Sequence, residues 1–162
     1  MLTSVQTAGL IELYQGEVLG EVVFNALLAT AENADQRWKL SMMLQLETET
    51  KARLRPTLAA QGIDIAESAD MRTRGLGLAA SLGPLPWAEK MSTIHDLLRE
   101  TFVPRFQQIE ASFHGNSEVA KSMVEHETAL MEMARREAAG ESAGSACGVE
   151  ALLTHPIPYP AG

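Results

Sequence analysis

Five side chains of this sequence carry groups that could do chemistry together: Glu17, Glu21, Glu47, His126 and Glu127. Read at helical period, Leu10, Tyr14, Glu17, Glu21, Phe24 and Leu28 form one stripe, so two carboxylates one turn apart stand where a core should be. Glu47 interrupts a second apolar stripe, Leu40, Leu44, Glu47, Leu54 and Leu58, with Thr50 beside it. His95 interrupts a third, running from Met91 through Leu98, Phe102, Phe106 and Ile109 to Phe113. The fourth reads Val119, Met123, His126, Leu130 and Met133, with Glu127 on its flank. A buried ionised carboxylate is costly unless it is paired, protonated or bound to a cation. Two outcomes answer that cost. Either the acids and imidazoles converge on a hard or borderline metal ion, or each is satisfied within the protein. In the second case Arg37, Lys51 or Arg53 would hold Glu17 or Glu21, and Glu17 or Glu47 would hold His126.

The elements that must position these groups are helices. The chain has 162 residues, enough for one domain with a full core, and it is rich in Ala, Leu, Glu and Met. An all-α protein follows. Thr3 and Gln6 form a capping box that predicts a first helix to about Ala31. Asn33, with Gln36 three residues on, starts a second that runs to about Gln61, where Gly62 ends it. So short a link packs the two antiparallel. Gly16 and Gly20 are poor helix residues that let another group approach the first helix closely. Pro56 should bend the second helix and free the carbonyl of Ala52.

Residues 62–85 are punctuated by Gly and Pro and read as a connection, with at most a short helix over Ile63–Ser68. Such a segment can run the full length of a long helix, so the second and third helices need not be antiparallel neighbours. The third helix starts near Pro86, and Pro104 should kink it and release the carbonyl of Glu100. The fourth starts at Asn116 or Ser117 and ends at Gly140. Beyond it, residues 141–162 read as a flexible tail, extended and partly apolar toward its end, that packs on the bundle or on a second subunit.

Several function classes recede. The net charge of −8 offers no basic face for a nucleic-acid backbone. No apolar run approaches a membrane span and no signal peptide is visible, which makes the cytoplasm the expected location. Cys147 is the only cysteine and has no neighbouring ligand. The eight methionines read as core filling, His155 sits among prolines, and Gly75, Gly77 and Gly83 follow no strand that would make them a phosphate loop.

With four long helices over residues 3–140 and the longest connection between the second and third, the chain resembles the ferritin-like superfamily. Members carry a Glu on the first and third helices and a Glu-x-x-His on the second and fourth. Glu17 looks like the first of these ligands, with Glu21 one turn on, and Glu47 looks like the start of the second-helix motif. Thr50 stands where that motif has His, Met123 stands three residues before His126 where the fourth has Glu, and Glu100 lies off the third stripe. The resemblance implies a ferritin-like four-helix bundle with redox chemistry on oxygen or peroxide. Metal ligands would come from Glu17, Glu21, Glu47, His126 and Glu127, and so oxygen-rich a donor set favours iron or manganese. The alternative is a metal-free bundle that acts as an assembly or binding module. A metal-free acid–base enzyme would need a nucleophile that the sequence does not offer. The apolar tail and amphipathic helices favour a dimer.

Overall fold

The protein is described from a computed structural model, which covers residues 2–160. Among the described residues all regular structure is helical. Helix α1 (Ser4–Leu27) begins as its capping box dictates: Thr3 Oγ1 accepts from Gln6 N, and Gln6 Oε1 accepts from Thr3 N. A single 3-10 turn (Leu28–Thr30) follows. Asn33 then caps α2 (Ala34–Ala60), which runs unbroken through Pro56 and stops at Gly62, where φ is +67°. The short link makes α1 and α2 antiparallel, with Glu21 beside Lys51 and Tyr14 beside Arg55.

The connection holds a surprise. Residues 63–68 are irregular rather than helical, and α3 (Ala69–Leu82) forms where Gly and Pro had suggested only turns. Ser68 supplies its N-cap and Asp70 its acidic first turn. Its glycines do not break it, because Gly75, Ala79 and Leu82 make a narrow buried stripe against α1. A Cβ on Gly75 would lie 3.0 Å from the carbonyl oxygen of Leu19 and from Val22, so the glycine permits close packing.

The third stripe folds as one rod in three parts: α4 (Trp87–Leu97), a π-helical turn (Leu98–Phe102) and α5 (Val103–Ala111). Pro104 has no N–H to give Glu100, and the expected kink is absorbed as that wider turn, in which Val103 N donates to Leu98 O. Ser117 caps α6 (Glu118–Ala138) through Ala120 N.

Side-chain pairs fix the directions. Gln6 reaches Ser112 and Glu12 reaches Arg105, so the rod is antiparallel to α1. Lys39 meets Glu137 and Thr50 meets His126, so α6 is antiparallel to α2. The four long elements therefore run up, down, down and up, and residues 61–86 carry the chain back to the end where α2 begins, beside Thr30.

Two apolar clusters fill the interior. One gathers Leu10, Tyr14, Leu54, Phe106 and Met123; the other gathers Leu27, Met43, Leu46, Ile94 and Leu130. Glu17, Glu47, Thr50, His126 and Glu127 are all buried in the layer between them. The tail expected to be flexible folds back on this body. A short helix, α7 (Cys147–Leu152), contacts α6 and α2. Beyond it Thr154 N and His155 N donate to Glu49, Trp38 Nε1 donates to Ile157 O at 2.8 Å, and Tyr159 packs edge-on against Trp38. Residues 161 and 162 lie outside the described part. No described helix is long and apolar enough to cross a membrane.

Candidate metal centre

Three of the five predicted ligands meet. One ligand atom each from Glu17, Glu47 and His126 lies within 4.8 Å of the others, and all three residues are buried. Each arrives from a different helix, α1, α2 and α6, at the level where the two apolar clusters part. His126 Nδ1 is 3.5 Å from Glu17 Oε2, and its Nε2 is 3.6 Å from Glu47 Oε1. Helix α1 accommodates the approach with a glycine. A Cβ on Gly20 would overlap the Glu47 carboxylate, while one on Gly16 would sit 2.9 Å from the Phe106 ring.

Thr50 has a definite task. Its Oγ1 shares a 2.9 Å hydrogen bond with His126 Nδ1, which orients the ring and leaves Nε2 as the free nitrogen. The residue that replaces the expected second-helix histidine is thus a hydroxyl that holds the fourth-helix one.

The layer is polar yet unsatisfied. Both carboxylate oxygens of Glu17, His126 Nε2 and one oxygen of Glu127 are buried without a hydrogen-bond partner. Orphaned buried polar atoms are few in folded proteins, and here four belong to three neighbouring residues. Proton affinities follow. Burial, then the charges of Glu47 and Glu127, hold the Glu17 carboxyl well above the usual carboxylate range. Burial likewise lifts Glu127 to about 8, against the pull of His126 and with the help of Glu47. For His126 burial works against the charged form, but Glu47 outweighs it and the imidazole is raised.

Glu21 does not join this layer. It is half-exposed at the rim, where Lys51 and Thr48 donate to it and Lys51 also pairs with Glu67 at 2.6 Å. One helical turn of 3.6 residues rotates it off the line of Glu17, toward the lysine. Arg53 and Arg37, the other candidate cations, make no ion pair with Glu17, and Lys51 is already committed. Glu127 is buried on the flank of the triad, facing a crevice it shares with Glu47. His95 leaves its predicted stripe, because the core line of α4 is Met91, Ile94 and Leu98, and pairs instead with Asp96 at 3.2 Å near the surface. The rod offers only apolar side chains at this level. Sequence reasoning missed α3, whose Leu78 and Leu82 help wall the site. The signal was present in the Ser68 cap and the Gly75, Ala79, Leu82 spacing.

Two carboxylates and one imidazole, all buried, form a donor set that could hold a metal ion. Compared with protein-family models, curated proteins and solved structures, the chain matches none.

Proposed function

We infer that this protein is a ferritin-like four-helix bundle that holds iron or manganese between Glu17, Glu47 and His126. One observation carries the reading: the Glu17 carboxylate is wholly buried with neither oxygen hydrogen-bonded, in one cluster with a second acid and with His126, whose Nε2 is free. Among the described residues His126 is the one cationic group within ion-pair distance of either acid of the triad, so protein atoms compensate the layer only in part. A cation would compensate it. The up, down, down, up course of the long helices and the long 61–86 connection support the ferritin-like assignment.

Glu17 and Glu47 would bind through carboxylate oxygens and His126 through Nε2, with Thr50 Oγ1 accepting the proton that Nδ1 then carries. Glu127, buried on the flank, would be a further acid at the same centre or hold a proton beside it. When bound, iron or manganese supplies one-electron redox chemistry, and the reaction class proposed is oxidation or reduction linked to oxygen or peroxide. The apolar clusters above and below would exclude bulk water from the reacting side.

Metal analysis of protein purified without chelator tests this. Near-stoichiometric iron or manganese is expected, lost in Glu17→Gln and Glu47→Ala. Added manganese at 100 times its Kd should stabilise the wild type by about 2.7 kcal/mol. Metal content that is trace in the wild type, or unchanged in both variants, would refute the reading.

A further inference from the structure

We propose that the crevice between α3 and the α4–α5 rod is the access port to this centre and that it admits only a small uncharged molecule. The proposal rests on the metal-centre reading for its destination, but the crevice stands on its own geometry. Its free space is about 40 Å³, room for one or two molecules of the size of water. Its floor is α1 at Gly16 and Gly20, and its walls are apolar: Leu78 and Leu82 from α3, Leu97 and Leu98 from the rod. Glu47 and Glu127 are the only charged groups that line it. Glu127 is 4% exposed and leaves one carboxylate oxygen unbonded. An apolar throat that ends on two acids disfavours ions, which would shed water with nothing on the walls to replace it.

The rod makes the opening. Leu98 and Phe102 are the two ends of the π-helical turn, and such turns place side chains off the regular helical line. Half-buried Phe102 borders both the crevice and an outer groove of about 400 Å³ whose rim carries Glu12, Asp70, Arg74 and Arg105. Gly16 and Leu19 are shared by the two spaces as well. The Phe102 ring is therefore the partition between a charged, roomy vestibule and a narrow apolar throat, and it sets the size of what passes.

Xenon, an uncharged apolar atom, probes the throat directly. Crystals of metal-free protein under xenon pressure should show a peak between Leu78, Leu98 and Phe24. Leu78→Trp should abolish that peak, and Leu97→Trp should do the same from the opposite wall if the first variant folds poorly. In manganese-loaded protein the relaxation enhancement of water protons should be lost in these variants while manganese content stays at the wild-type level. Phe102→Ala should retain the xenon peak and admit a larger probe, benzene, that the wild type excludes. Absence of xenon from the wild type, or equal relaxation with and without the tryptophan, overturns the port. Failure to bind manganese at all would instead strike the metal-centre reading, and the xenon peak would still decide whether the throat exists.

Discussion

Two clusters of buried polar side chains bridge α2 and α6, and they are built in opposite ways. Near the start of α2, Lys39 pairs with Glu137 at 2.8 Å and with Asp35 at 2.7 Å. Glu137 also accepts from Trp87 Nε1 at 2.8 Å and from the hydroxyls of Ser142 and Ser145. Every charge there has a partner, and the cluster fastens the turn after α6 to the body. Two to three turns further along α2, Glu47, Thr50, His126, Glu17 and Glu127 are buried as deeply, yet four of their polar atoms have no hydrogen-bond partner. The first cluster is a finished structural joint. The second leaves four buried polar atoms without a hydrogen bond, and that difference is what marks it out as a candidate site.

The comparison predicts opposite responses to loss of one member. Lys39→Met should destabilise the protein by about 3 kcal/mol or more in urea denaturation, because it strands a buried carboxylate. Glu17→Gln in metal-free protein should leave stability unchanged or raise it at pH 8, since it removes an acid that burial and its neighbours disfavour in charged form. A loss in the second as large as in the first would mean that Glu17 is satisfied in a way its surroundings do not indicate.

Acid and alkaline flanks of the stability curve should divide along the same line. Glu137 is lowered: burial raises it, but Lys39, Ser145 and Trp87 together outweigh that. Its contribution is therefore present above the ordinary carboxylate range and lost as pH falls through its folded value. Glu17 and Glu127 are raised, so the folded state keeps protons that the unfolded chain releases. Metal-free protein should lose stability as pH rises from about 5 to 8. Urea midpoints across pH should show Glu127→Gln flattening the alkaline flank and Glu137→Gln the acid flank; the reverse pattern would undo the contrast.

Much of this was legible in the sequence. The caps at Thr3, Asn33 and Ser117 fixed where helices start, and Glu17, Glu47 and His126 were visible as polar breaks in apolar stripes. Glu21 was not separable from Glu17 by periodicity, because one turn apart is close to one face. What separated them was Lys51, whose partner depends on how α2 docks on α1 and on Glu67 in the connection. Helix α3 was hidden for a related reason: glycine that packs against a neighbouring helix has the same local signature as glycine in a turn. His95 was misplaced because positions 94 and 95 both lie about one turn beyond Met91, and Ile94 takes the core place.

The smallest effects come from glycine. Gly20→Ala should weaken metal affinity about tenfold by pushing Glu47 out of place, as read by competition with a chelator. Gly77→Ala, where a Cβ meets nothing within 4 Å, should stabilise α3 by about 1 kcal/mol and leave metal affinity alone.

Anomalous diffraction from crystals of protein purified without chelator, collected on either side of the iron and manganese edges, reaches the central claim most directly. A peak bounded by Glu17, Glu47 and His126 Nε2, absent in Glu17→Gln crystals, is the result expected. Density there for water alone, with no anomalous signal at either edge after soaking in ferrous or manganous salt, would contradict it.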